Sequence, residues 1–361
     1  MSEGTARSER TPAQTAEPAE QPRVATIRDV AAAAGVSVGT ASKALNGRGK
    51  LRAETRARVA AAAEQLGFRP NTLARGLLAG RTFTVGLITS DSFGRFSIPV
   101  MLGAEDALGA GQMSVLMSDT RDDPIREQHY IQRLLARRVD GLIITGRRTE
   151  PRPSIGRDLP VPVVYAMTQS TDPRDFSVIP DDVGGGELAV RHLLATGRRV
   201  IGHVTGPERF LAARQRAEGA ARVLADAGLE LAGGDVLYGA WSEEWGRQAA
   251  DILLRAEPAL DGVFCGSDQI ARGVAETLRE RGRRVPDDVA LIGFDNWEPM
   301  ALGCRPPLTT VDMNLYEVGR VAGQHLLDSI GGAAPKAGVQ TLPCSLVLRE
   351  STGPSARRRT P

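Results

Sequence analysis

The hydrophobic pattern along this chain changes character near residue 82. Before that point apolar residues recur three and four positions apart. Ile27, Val30, Ala31 and Ala34 share one helical face. Thr26 stands at the cap position with Asp29 three residues on, and Gly35 is placed to end the helix. Behind Ser37 as a second cap, Val38 to Leu45 gives another short helix with Ala41, Ala44 and Leu45 for packing; Asn46 and Gly47 stop it. A third helix, about Ala53 to Leu66, offers Val59, Ala62, Ala63 and Leu66 to a common core, with Gly67 as its cap and Phe68 packing back. Two short helices joined by a tight glycine turn read as a helix-turn-helix, whose second helix enters the DNA major groove. Pro70 then pre-sets a new start, and Leu73, Ala74, Leu77 and Leu78 line a very short helix closed by Gly80. Such a helix is not stable alone in water. Its expected partner surface is its twin in a dimer, together with DNA.

After residue 82 short apolar runs alternate with amphipathic stretches. Strands are predicted at Val85–Thr89, Met113–Asp119, Asp140–Gly146 and Val161–Ala166, with helices over Val100–Ala110 and Ile125–Arg138. The rhythm restarts with a helix over Gly184–Ala195. Strands follow at Val200–Gly206, Asp235–Tyr238, Asp261–Ser267 and Val289–Asp295. The helices between and after them fall at Leu211–Ala227, Ser242–Arg255, Gln269–Arg281 and Leu315–Ile330, and a last strand at Thr341–Leu348. Continuous apolar strands imply burial on both faces, and this alternation builds parallel sheets with right-handed crossovers. The prediction is two similar α/β halves with a cleft between them, ligands sitting outside the carboxyl ends of the strands.

Charge sharpens the division. From Pro22 to Arg81 there are eleven Lys or Arg against three Asp or Glu, while the whole chain of 361 residues has a formal net charge of only +2. The basic character is therefore concentrated on the helical segment, as phosphate binding requires, and the rest is mildly acidic. Cys265, Cys304 and Cys344 are odd in number and lack metal-ligand spacing, and the four histidines are dispersed. Buried thiols in a reducing cytosol are expected, with no disulfide framework, metal or cofactor. Residues 1–22 are polar, without the apolar core of a signal peptide, and no apolar run approaches the roughly 20 residues that span a bilayer. That segment and the tail 354–361, with Arg357 to Arg359, are expected to be disordered. Gly184-Gly185-Gly186 matches neither the dinucleotide fingerprint nor the P-loop and is read as a helix start.

The phrases TIRDVAAAAGVS, ASKALNG, RVAAAAEQLGFRPN and LARGLLAG, in that order and spacing, closely resemble the headpiece and hinge of the LacI/GalR family of bacterial transcription regulators. The resemblance continues to about Gly353. It implies a helix-turn-helix headpiece at 23–69 and a hinge helix and linker at 70–81. An effector-binding and dimerisation domain over 82–353 follows, two-lobed like a periplasmic sugar-binding protein. The chain would cross between lobes near residues 180, 310 and 340. On the DNA side it implies base reading by Val38, Gly39 and Lys43, with Ser37, Thr40 and Ser42 on phosphates or supporting the helix. Thr26, Asn46, Asn71 and Ala74 complete the DNA-facing set. Leu77 aligns with the leucine that is wedged between base steps and kinks the duplex. Gly39 offers no side chain, and Lys43 stands where arginine is common; a lysine is a flexible point charge and a poorer bidentate fork.

On the effector side the resemblance assigns Arg216, in the run RQRAEG, to ligand hydroxyls and Asp295, at the end of VALIGFD, to accepting from them. Trp241 aligns with an aromatic lying against the ligand face. Ser267 and Asp268 are further candidates, and Ser90, Asp91 and Phe96 are placed at the mouth from the other lobe. For each, a structural role is the competing reading, including a direct Arg216–Asp295 pairing. The resulting expectation is a cytoplasmic homodimeric transcription factor, a repressor, on near-palindromic double-stranded operator DNA, with a small-molecule effector that Arg, Asp and Trp together suit to a sugar. The rival is a cytoplasmic sugar-binding protein or an enzyme on the same scaffold. An enzyme needs a catalytic constellation, and the sequence carries no Ser/His/Asp order, metal cluster or phosphate loop.

Overall fold

The computed structural model describes residues 25–45, 49–68, 81–109, 111–156, 158–334 and 336–353. The expectations for residues 1–22, Asn46, the hinge up to Gly80 with Asn71, Ala74 and Leu77, and the tail from Pro354 lie outside the described residues. The chain divides into two compact units, Met1–Ala79 and Gly80–Pro361.

In the first unit three helices form: α1 (Ile27–Ala33), α2 (Val38–Leu45) and α3 (Ala53–Gln65). Thr26 and Asp29 make a reciprocal capping box, the Thr26 backbone N–H donating to the Asp29 carboxylate at 2.8 Å. Ser37 caps α2, its Oγ accepting from the Thr40 N–H at 3.1 Å. Gly35, at φ +62°, lets the chain reverse after α1; its N–H bonds Ala32 O and that of Val36 bonds Ala31 O, the two bonds of a Schellman motif. The same motif closes α3, where Gly67 bonds Glu64 O and Phe68 bonds Ala63 O. This corrects the expectation for Leu66. As the residue at the cap it turns outward, 40% exposed, and Phe68 packs into the core instead, beside Val30, Ala31, Ala34, Ala41, Val59, Ala62 and Ala63.

The second unit holds two six-stranded sheets. The first comprises β1 (Thr84–Thr89), β2 (Ser114–Asp119), β3 (Gly141–Thr145), β5 (Val163–Ala166), β7 (Phe176–Pro180) and β13 (Gly338–Leu342), in the order β13-β7-β5-β3-β1-β2 and parallel throughout. A small parallel pair, β4 (Pro151–Arg152) with β6 (Gln169–Ser170), sits beside it. The second sheet comprises β8 (Ile201–Thr205), β9 (Leu237–Tyr238), β10 (Gly262–Cys265), β11 (Ala290–Phe294), β12 (Thr309–Asp312) and β14 (Ser345–Val347), in the order β14-β12-β11-β10-β8-β9; only β14 is antiparallel. Helices α4 (Ser97–Gly109), α5 (Pro124–Ala136) and α11 (Leu315–Ile330) cover the first sheet. Helices α6 (Asp182–Ala195), α7 (Leu211–Asp226), α8 (Glu243–Ala256) and α9 (Asp268–Glu280) cover the second, with a short α10 (Glu298–Ala301) after β11. Strands β1, β3, β8, β10 and β11 are almost wholly buried, as strands covered on both faces must be.

The chain leaves the first lobe after Pro180 and returns to it after Asp312. It crosses a third time between Leu342 and Ser345. Two of the strands at these crossings, β7 (FSVIP) and β12 (TTVD), are absent from the sequence-based prediction. The single strand expected over Thr341–Leu348 is two, one in each sheet, separated by Pro343, whose missing N–H cannot serve a ladder.

The glycine run at the start of α6 serves packing. A Cβ on Gly186 would lie 2.3 Å from Arg216 O, and one on Gly219 of α7 would lie 2.1 Å from Val183 O, so the two helices touch backbone to backbone. The helix N-terminus is satisfied by the Asp181 carboxylate, which accepts from the Gly184 N–H at 2.9 Å.

Candidate effector cleft and nucleic-acid interface

In the first unit the expected DNA-facing side chains divide cleanly by exposure. Ser37 at the cap of α2 and Val38, Gly39 and Lys43 on it are exposed, Thr40 and Ser42 are half-buried, and Ala41 between them is fully buried in the core. The amphipathic spacing thus anchors one side of α2 and presents the other. Val38 is 44% exposed, a large apolar side chain left in water at the start of the helix. Thr26 is engaged in capping α1.

Between the lobes of the second unit lies a charged core. Arg216, on α7, is buried. Its Nε donates to Asp182 at 2.8 Å, and one Nη donates to the carbonyl of Gly266 at 2.6 Å and reaches Asp295 at 3.5 Å. Its guanidinium lies 3.6 Å from the centroid of the Phe294 ring. Asp182, the first residue of α6, also accepts from Thr149 Oγ1 of the first lobe at 3.4 Å. Arg216 and Asp295 are therefore brought together, and most of the arginine's donors already have protein partners.

Asp295 follows β11 with φ at +101°, and Asn296 after it is at +48°, a left-handed turn that non-glycine residues adopt at a cost of about 1–3 kcal/mol each. The turn aims the carboxylate toward the opposite lobe, where it pairs with Arg95 from the segment between β1 and α4. Burial raises the Asp295 pKa, and the guanidinium groups of Arg95 and Arg216 oppose that rise. Asp268, the first residue of α9, is buried outright. It accepts from Thr310 Oγ1 at 2.5 Å and from the Trp297 N–H at 2.7 Å. Burial first, and the charge of Asp295 second, push its pKa up to about 8. Ser267 caps α9, accepting from the Ile270 N–H at 3.2 Å.

A cavity of about 590 Å³ opens beside this core, lined by Arg95, Phe96, Asp295, Asn296, Trp297 and Asn314, among others. Phe96 and Asp295 thus meet on one cavity. Ser90 instead lines a cavity of about 480 Å³ in the first lobe, with Thr120, Thr145, Glu150 and Arg152. Asp91 presents no free carboxylate: it accepts from the N–H groups of Phe96 at 2.6 Å and Ser97 at 2.9 Å, and so shapes the loop that carries Arg95. Trp241 lies flat on Gly206, where a Cβ would stand 2.1 Å from its ring, with the Arg216 guanidinium 5.8 Å from the ring centroid. The tryptophan on the larger cavity is Trp297, beside Phe96, with the Arg95 guanidinium 4.4 Å from the Trp297 centroid. Arg95, Asp182 and Trp297 escaped the sequence reading. A Trp directly after the GFDN turn was the one available signal. The two lobes touch further where Glu150 accepts from the Leu211 N–H at 2.7 Å, and where Arg148 covers the Phe210 ring at 4.6 Å.

Comparison with known proteins accounts for both units. Residues 26–71 match the family described as bacterial regulatory proteins, lacI family, and residues 190–352 match a periplasmic binding protein-like domain. Catabolite control protein A of Priestia megaterium is 32% identical, over 91% of this chain and 99% of that protein. The chain belongs to the LacI family. It is a DNA-binding transcriptional regulator, as its relatives are, with a helix-turn-helix headpiece and a two-lobed α/β domain. A solved lac repressor dimer bound to operator and the anti-inducer ONPF superposes with a TM-score of 0.70 at 28% identity, covering 92% of this chain and 100% of that one. The transcriptional regulator CelR–cellobiose complex gives a TM-score of 0.61 at 31% identity, covering 91% and 99%; the CelR of Thermobifida fusca is 33% identical over 92% of this chain. Among the described residues no helix is long and apolar enough to cross a membrane.

Proposed function

We propose that this LacI-family regulator is a cytoplasmic repressor that binds near-palindromic double-stranded operator DNA as a homodimer, its operator affinity controlled by a sugar bound between the two lobes. The observation that carries this reading is the inter-lobe core. Asp295 and Trp297 offer a carboxylate acceptor and an aromatic face on one cavity, and Arg216 stands behind them, the chemistry that sugar hydroxyls and ring faces require. The CelR–cellobiose complex, a relative with a sugar bound, supports the same class of effector.

On the DNA side, Val38, Gly39 and Lys43 read base edges, and Ser37, Thr40 and Ser42 contact phosphates or support the helix. Leu77 wedges a base step from a hinge helix paired with its mate across the dimer. The homodimer reading is supported by exposed apolar side chains on the first lobe: Leu116 and Met117 on edge strand β2, and Ile98 and Leu102 on the neighbouring α4. Ligand binding changes the angle between the lobes and the separation of the two hinges. Separated hinges lose their partner surface, and operator affinity falls. An effector that instead favours the DNA-ready state acts as a co-repressor.

The test is a thermal-shift screen of a sugar panel, followed by operator titration with and without the hit. A sugar at a hundredfold over its dissociation constant stabilises the fold by about 2.7 kcal/mol. The reading fails if no sugar shifts the melting temperature, or if the one that does leaves operator affinity unchanged.

A further inference from the structure

We propose that Arg95 is a built-in occupant of the effector cleft: its guanidinium takes the place on Asp295 that effector donors would otherwise take, and it clasps the lobes together when no effector is bound. The competition rests on the effector reading given above; the clasp itself does not.

Arg95 belongs to the first lobe and Asp295 to the second, so their ion pair spans the cleft. Both are withdrawn from water, the arginine side chain 15% exposed and the carboxylate 5%. The guanidinium lies over an aromatic ring of each lobe, 4.9 Å from the centroid of Phe96 and 4.4 Å from that of Trp297. Its loop is fixed from behind by the Asp91 carboxylate, which holds the backbone on the α4 side of Arg95, and by Gly94 at φ +72° on the other side. These are the contacts a cationic ligand would make, supplied by the chain itself.

The clasp is also imperfect. The Arg95 Nε is buried without a hydrogen-bond partner, a loss that release into water would repair. A sugar whose hydroxyls donate to Asp295 and whose face covers Trp297 replaces what the arginine gives up, and the freed guanidinium regains full solvation. Effector and Arg95 therefore exclude one another on Asp295. If the clasp is closed in about nine molecules of ten, the apparent affinity for effector falls about tenfold.

The test needs no knowledge of the natural effector. Full-length wild type, R95A and R95K are purified and compared by small-angle X-ray scattering and thermal melting, alone and with millimolar ethylguanidinium, which carries the missing end of the side chain. The expected result is a larger radius of gyration and a lower melting temperature for R95A, both reversed by ethylguanidinium, with no stabilisation of wild type. R95K, which keeps the charge and loses the planar fork, falls between the two. Should R95A fail to fold, R95K carries the comparison, and its scattering must still show a more open unit than wild type. Scattering by these variants that matches wild type, with no rescue, overturns the clasp. Any sugar found in the thermal-shift screen then binds R95A about tenfold more tightly than wild type; tenfold weaker binding makes Arg95 a ligand contact and overturns the competition. If no sugar binds either protein while ethylguanidinium still closes R95A, the effector reading has failed and the clasp stands.

Discussion

Replacing Arg216 with methionine separates a structural from a ligand-facing role for the cleft arginine. Methionine is unbranched and apolar, so it keeps much of the packing on Phe294 while deleting the charge. It strands the Asp182 carboxylate, fully buried, with the Thr149 hydroxyl at 3.4 Å as its remaining side-chain partner. The lost Coulomb attraction at 2.8 Å is about 6 kcal/mol for an effective dielectric constant of about 20. The relief of desolvating a guanidinium offsets part of it, and one-sided removal of a buried pair costs about 3–5 kcal/mol. At about 2 °C per kcal/mol for a unit of this size, the melting temperature falls by about 8 °C. Effector-free protein is melted in a calorimeter, beside the double variant R216M/D182N. Removing the stranded charge should restore about half of the loss, because an uncompensated buried carboxylate is the larger part of the penalty. A single variant melting within about 2 °C of wild type, or a double variant no better than the single, refutes the reasoning.

Three further outcomes are expected. Leu77→Ala weakens operator binding far more than binding to arbitrary DNA if, as proposed, Leu77 wedges a base step in the specific complex alone; titration of both DNAs at fixed salt checks it, and equal loss on both contradicts it. Asp268 titrates at about 8 in the folded chain against 3.8 when unfolded, so the fold binds the extra proton. Its contribution to stability is complete below 3.8 and is lost as pH rises through about 8, at up to about 1.4 kcal/mol per pH unit. Asp268→Asn, with the Thr310 hydroxyl turned to accept, flattens that slope in urea titrations run across the window. Gly219→Ala places a methyl 2.1 Å from Val183 O and forces α6 and α7 apart. Its cost of about 1–3 kcal/mol is read from the urea midpoint, and an unchanged midpoint would remove the close-contact account of these glycines.

The sequence carried the headpiece almost residue by residue because its determinants are local. Caps, turn glycines and the spacing of Val30, Ala31, Ala41 and Val59 all lie within one or two helical turns of what they specify. Leu66 was misread for a reason equally local: at the C-cap of a Schellman turn the apolar contact passes to Phe68, two residues on. Strands β7 and β12 went unseen because FSVIP and TTVD are short and mix polar with apolar residues. Their burial comes from the neighbouring strands and helices rather than from their own pattern.

The cleft divides in the same way. The placing of Arg216 and Asp295 at it came from the family resemblance, and the alternating strands and helices determined by themselves that parallel sheets would form. The sequence also concentrated positive charge on the helical segment and the acidic balance on the rest. Only the tertiary structure decided which groups meet. Arg95 and Asp295 are 200 residues apart, and Arg216 and Asp182 are 34 apart. No local pattern encodes such pairs, because Arg95 is assigned its partner by the docking of one lobe on the other, and Arg216 its own by the packing of α7 on α6. Asp91, Ser267 and Asp268 sat at the expected strand ends, yet their polar atoms are committed to backbone and hydroxyl donors that appear only once the loops close.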